Sequence, residues 1–82
     1  MECKYTLKDY DSVTVGDYCK ASVANYGIAT AGRYGQVRGG GGSLLILHRS
    51  DGSRVPLVVG RDGIRADTWY MLDEYDALVA IP

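Results

Sequence analysis

Cut into eights from Asp9, the chain repeats one short pattern of apolar and polar positions. The blocks read DYDSVTVG, DYCKASVA, NYGIATAG, RYGQVRGG and GGSLLILH, covering residues 9–48. Column five is Val13, Ala21, Ala29, Val37 and Leu45, and column seven is Val15, Val23, Ala31, Gly39 and Leu47. Between them column six runs Thr14, Ser22, Thr30, Arg38 and Ile46, polar until the last block. An apolar–polar–apolar triplet alternates at period two, which is the signature of a strand with one face buried. Three residues followed by a small residue are too short for an independent hairpin. They become stable if each strand pairs with its copy about 4.8 Å above.

Eight residues cannot close a coil with two faces, whereas sixteen can. The pattern therefore predicts an all-β fold. Its first part is a short flattened β-solenoid of eight-residue half-coils, sixteen residues per turn and about two and a half turns tall. Columns five and seven point inward, where small Ala and Val suit a narrow interior. Column two is Tyr10, Tyr18, Tyr26, Tyr34 and then Gly42. On this geometry Tyr10 stacks over Tyr26 on one side, and Tyr18 over Tyr34 on the other.

From Ser43 the pattern changes. Leu44–Leu47 is apolar throughout, and three further apolar runs follow at 55–59, 68–72 and 77–81. They are separated by Asp51-Gly52, Asp62-Gly63 and the turn from Asp73 to Asp76. Residues 43–82 read as an antiparallel β-meander capping the open end of the coil. Pro56 marks an edge position or a strand start, and Trp69 is the expected core anchor. Residues 3–8, with Tyr5 and Leu7 alternating, form a candidate first strand over the other end. The whole chain, 1–82, reads as one domain, with 9–48 the repeat and 43–82 the cap.

The phrase NYGIATAG-RYGQVRGG, closed by Gly63-Ile64-Arg65-Ala66-Asp67-Thr68-Trp69-Tyr70, resembles the ATAG-type octad repeat proteins of bacteria and phages. It has a weaker likeness to bacterial ice-nucleation repeats. The resemblance covers about residues 9–72 and implies a β-solenoid fold in a phage or prophage setting. It implies no activity. This chain departs from those proteins in having few octads before its end.

Composition narrows the chemistry. There are 82 residues, eleven glycines, seven tyrosines and no phenylalanine. The net charge of −1 favours neither a basic nucleic-acid binder nor a strongly acidic nucleic-acid mimic. The charges are unevenly spread: six arginines lie between Arg33 and Arg65, while Glu2, Asp9, Asp11 and Asp17 precede them. Asp67, Asp73, Glu74 and Asp76 follow. No apolar stretch approaches the ~20 residues of a membrane span, so no membrane contact is expected. Two cysteines make no disulfide framework. Cys3 and Cys19 read as free thiols in a reducing cytoplasm, with a single disulfide as the alternative. They and the sole histidine, His48, are too few for a zinc site, and His48 falls in a corner column as a surface residue.

Gly39–Gly42 lacks the Gly-Lys-Ser/Thr ending of a phosphate loop. The paired carboxylates at Asp9/Asp11 and at Asp73/Glu74/Asp76 sit in turn-rich, solvated settings that give no reason for a raised pKa. No catalytic residue, metal or cofactor is expected. The expected function is protein binding, with the chain acting as a phage-encoded inhibitor of a bacterial defence complex (anti-CRISPR-like) by occluding a surface. The expected location is the cytoplasm of an infected or prophage-carrying bacterium. The candidate contact residues are Asp9, Asp11, Asp73, Glu74 and Asp76 on an acidic side, and Tyr26, Tyr34, Arg33 and Arg38 on an aromatic and basic one. The partner would be a bacterial protein or nucleoprotein effector complex, or a second copy of the chain. Two alternatives stand beside this reading. One is a structural, self-assembling phage module. The other is nucleic-acid binding through residues 33–65, with Tyr26 and Tyr34 stacking bases; the net charge counts against it.

Overall fold

A three-residue strand satisfies its backbone only through neighbours on both sides, and the octads supply them sixteen residues away. The computed structural model describes residues 3–61 and 63–81. Its strands are β1 (Lys4–Thr6), β2 (Ser12–Val15), β3 (Lys20–Ser22), β4 (Ile28–Ala31), β5 (Gln36–Arg38), β6 (Leu44–His48), β7 (Arg54–Val58), β8 (Trp69–Leu72) and β9 (Leu78–Ile81). Through β6 the strands alternate between two mixed sheets, ordered β1-β3-β5-β8-β9 and β2-β4-β6-β7. Within the octads every pairing is parallel and offset by sixteen residues. Tyr5 lies beside Ala21 and Ala21 beside Val37 in one sheet, and Val13 beside Ala29 and Ala29 beside Leu45 in the other.

The inward columns are as expected. Ala21, Ala29, Ala31, Val37 and Leu45 are fully buried, and one apolar cluster takes residues from both sheets. From Cys19 onward column three is also buried, at Gly27, Gly35 and Ser43, which the triplets alone did not reveal. There Gly27 allows the corner to close: a Cβ built on it would lie 2.7 Å from the Cβ of Val23 and 2.8 Å from the Asp11 carbonyl oxygen. Where column seven becomes Gly39, column three becomes the fully buried Ser43, so the pair conserves volume across the corner. The Ser43 hydroxyl donates to the Ala24 carbonyl at 2.7 Å and accepts from the Gly27 N–H at 3.3 Å, which satisfies its burial.

Several expectations are corrected. The repeat begins before Asp9: β1 already stands in octad register, with Cys3 in column three. Cys3 and Cys19 are joined by a disulfide rather than free, and no free cysteine occurs among the described residues. A separation of sixteen puts the two in one column on adjacent parallel strands, with Cα atoms 4.9 Å apart, within the range a disulfide spans.

The C-terminal half is not one meander. β7 folds back on β6 in one sheet, whereas β8 joins the other sheet beside β5 and pairs with β9. Alternation in β8 turns Tyr70 and Leu72 inward, at 4% and 5% exposure, and leaves Trp69 only half-buried. Tyr70, not Trp69, is the aromatic core anchor. Its hydroxyl accepts from the Arg65 N–H at 2.7 Å, and the Lys4 ammonium lies 5.8 Å from the Trp69 ring centroid. The Asp51-Gly52 turn is present, with Gly52 at φ 90°. The Asp51 carboxylate is held below the usual carboxylate range, chiefly by the Ser53 hydroxyl and N–H. Of the expected Asp62-Gly63 turn, Asp62 lies outside the described residues, as does Glu2.

Candidate functional site

The corners of the octads carry the chain's most costly backbone conformation. Tyr10, Tyr18, Tyr26 and Tyr34 all have φ between 57° and 62°. For a residue with a Cβ this left-handed region costs roughly 1–2 kcal/mol, and glycine or asparagine would hold it more cheaply. The fifth position of the column is Gly42, at φ 75°.

Column one holds the corners in place by a pair of contacts that occurs three times. The Asp9 carboxylate accepts from the Asn25 N–H at 3.0 Å, while the Tyr10 N–H donates to the Asn25 carbonyl at 3.0 Å. The Asp17 carboxylate accepts from the Arg33 N–H at 2.9 Å, and the Tyr18 N–H donates to the Arg33 carbonyl. The Asn25 side-chain oxygen accepts from the Gly41 N–H at 3.0 Å, and the Tyr26 N–H donates to the Gly41 carbonyl. Arg33 and Gly41, which have no following octad rung, are the two column-one residues without an Asp or Asn side chain. Replacing Asp17 with alanine is expected to cost about 1 kcal/mol, the ordinary worth of a hydrogen bond to a charged or capping group. A urea titration measures it.

The tyrosine rings stack as the sequence predicts. Tyr10 and Tyr26 lie 5.5 Å apart at 13°, and Tyr18 and Tyr34 lie 5.3 Å apart at 22°. They nevertheless remain open to solvent, from 77% exposed at Tyr10 to 45% at Tyr34. The first column ends on Gly42, where a Cβ would stand 2.5 Å from Cε1 of Tyr26. Gly42→Ala is thus expected to meet both the ring and a strained φ, losing about 1–2 kcal/mol, readable as a fall in denaturation midpoint.

The two columns sit at opposite corners, where the chain crosses from one sheet to the other in opposite senses, and this separates the acidic candidates. Asp9 and Asp11 flank the Tyr10–Tyr26 column. Asp73 and Asp76 lie at the other corner, where the Asp76 carboxylate accepts from both the N–H and the hydroxyl of Ser50. Asp73 accepts from the Tyr75 and Ala77 N–H groups and shapes the β8–β9 turn. Of that trio Glu74 is exposed, whereas Asp73 and Asp76 are half-buried. No single acidic face is assembled from the five.

Arg33 lies beside Tyr34 and donates to the Ser50 carbonyl at 2.6 Å. Arg38 stands 3.8 Å from Asp67, a half-exposed ion pair worth little in water. His48 is half-buried rather than superficial: its Nδ1 lies 2.8 Å from the Ala31 carbonyl oxygen, so that nitrogen carries the proton. Arg33, Tyr34, His48, Asp73 and Asp76 line one shallow pocket at this corner.

Among the described residues no group of three or more His, Cys, Asp or Glu is placed to hold a metal. No helix among them is long and apolar enough to cross a membrane. Compared with protein-family models, curated proteins and solved structures, the chain shows no match.

Proposed function

We propose that this chain is a non-catalytic protein-binding module. Its two sheets act as the walls of a short β-solenoid of sixteen-residue turns, and its exposed tyrosine columns make the contact. The observation that carries this reading is the pairing of cost and exposure at the corners. Stacking returns about 0.5–1.5 kcal/mol per pair, less than two left-handed tyrosines cost. The corner folds equally well around glycine, as Gly42 illustrates. Tyrosine is a favoured interface residue because its ring is apolar and its tip is wet. Strain held at an exposed aromatic position is a reason to look there for function.

The Tyr10–Tyr26 column, with Asp9 and Asp11 beside it, fits a partner surface that is basic and partly apolar. Such a surface lines the nucleic-acid channel of a nuclease complex. Together with the likeness to phage octad proteins, this supports an inhibitor of a bacterial defence complex, acting by occlusion. The proposed location is the cytoplasm of an infected or prophage-carrying bacterium. The Cys3–Cys19 bond weighs against it, because disulfides persist in oxidising compartments. Trapping the thiols in cells decides the point: fully alkylated cysteines favour the cytoplasm and a protected pair the exterior.

A pull-down against effector complexes tests the role. Tyr10→Asn with Tyr26→Asn is expected to lower affinity at least tenfold while stability moves by no more than ~1 kcal/mol. Asp11→Lys and Glu74→Lys separate the two acidic corners without breaking the turns held by Asp73 and Asp76. Binding that survives the double tyrosine replacement removes this surface from consideration.

A further inference from the structure

The two sheets end in four edges, and two of them carry a charge or a proline that discourages another strand from pairing. The β1 edge has Lys4, with Lys20 beside it in the next strand. β2 lacks charge and proline, but its exposed residues, Ser12 and Thr14, are polar and offer a second strand no apolar contact. β7 contains Arg54 and Pro56, and proline cannot donate to a ladder. β9 is different. Its four residues, Leu78, Val79, Ala80 and Ile81, are all apolar and include no charge and no proline. The first three are exposed, Leu78 at 41% and Val79 at 38%. Among the described residues β8 is the one strand that pairs with it.

The register shows which backbone groups are free. The Asp73 N–H donates to the Ala77 carbonyl at the base of the hairpin. Bonded and non-bonded pairs alternate along an antiparallel ladder. Counted from that pair, Val79 opposite Met71 and Ile81 opposite Trp69 face β8, so the N–H and C=O of Leu78 and Ala80 face outward.

The charges near the two ends of β9 also differ in sign. The turn before it carries Glu74 and Asp76. At its far end Arg65 lines, with Gly63, Thr68, Tyr70, Ala80 and Ile81, an open cleft of about 510 Å³.

We propose that β9 pairs antiparallel with β9 of a second copy of this chain. The two-fold axis passes beside Val79 and joins two five-stranded sheets into one of ten. Leu78 then meets Ala80 of the second copy, a register that sets the outward-facing groups of both residues against each other. The same two-fold brings the acidic turn of each copy toward the other's Arg65, so charge favours the antiparallel arrangement. A four-residue edge buries less than the ~1,200 Å² of standard interfaces, so the dimer is weak and concentration-dependent. This surface is separate from the tyrosine corners and does not depend on them.

Sedimentation velocity of the full chain from low to high micromolar concentration tests it. The weight-average mass is expected to rise toward twice that of the monomer. The amides of Leu78 and Ala80 should gain protection from hydrogen exchange as concentration rises. Ala80→Pro removes an outward donor, and Val79→Lys brings two like charges together at the axis. Each is expected to leave the monomer folded and to weaken association at least tenfold. A wild-type mass that stays monomeric overturns the proposal, as does association that Val79→Lys leaves unchanged. Should Ala80→Pro fail to fold, the Val79→Lys and wild-type exchange measurements still decide the matter.

Discussion

Leu45→Ala is expected to cost about 2–5 kcal/mol, the range for emptying a filled core position. Leu45 is fully buried, pairs with Ala29 on one side and Leu57 on the other, and belongs to the cluster that joins both sheets. Its parallel neighbour Ala29 is too short to fill the space, and Leu57 on the other side is already buried in the same cluster. A domain of this size holds only about 4–12 kcal/mol in all. The melting temperature should therefore fall by more than about 10 °C. Ile46→Ala, on the outer face of the same strand and half-buried, is the control and should cost far less. Equal losses at the two sites would mean that the inward and outward faces of β6 are assigned wrongly.

Removing the Cys3–Cys19 bond is expected to have the next largest effect. Closing a loop of about fifteen residues stabilises a fold by roughly 3 kcal/mol, through the freedom it removes from the unfolded chain. The bond also secures the weakest strand. All three residues of β1 are exposed, and among the described residues β1 pairs only with β3. Cys3 and Leu7, on either side of it, are its contacts with the core. Reduction, or Cys3→Ala with Cys19→Ala, should lower the urea midpoint accordingly. It should also make the chain ahead of Asp9 a protease target before the rest unfolds. An unchanged midpoint under reductant would show that the bond contributes nothing in solution.

The octad columns made the pairing partners legible, because one period of eight places Val13, Ala29 and Leu45 in one register. They also made the tyrosine stacks legible, since a column of identical side chains about 5 Å apart has nowhere else to put its rings. Three signals were present but harder to read. Cys3 and Cys19 are sixteen apart, yet a repeat counted from Asp9 leaves Cys3 outside its own column. Asp9, Asp17 and Asn25 in column one mark those corners that have another rung to hold, and Arg33 and Gly41 mark where the rungs stop. Gly42, standing in the tyrosine column, shows that the position needs a left-handed backbone.

The C-terminal half was less legible. Its four apolar runs are true strands, but a run of Leu and Val does not say which sheet receives it. That choice depends on loop length and on which edge is still open. So β7 turned back on β6, while β8 crossed to β5 and turned Tyr70 rather than the expected Trp69 into the core.

By itself the sequence determined the strands, their parallel register and their buried columns, because a period is a local property that each block repeats. Tertiary structure alone decided how β7, β8 and β9 divide between the sheets, which carboxylates hold turns and which face outward, and which edge stays uncovered. Those outcomes depend on competition between distant segments for the same backbone donors and the same core volume. No window of the chain contains both competitors.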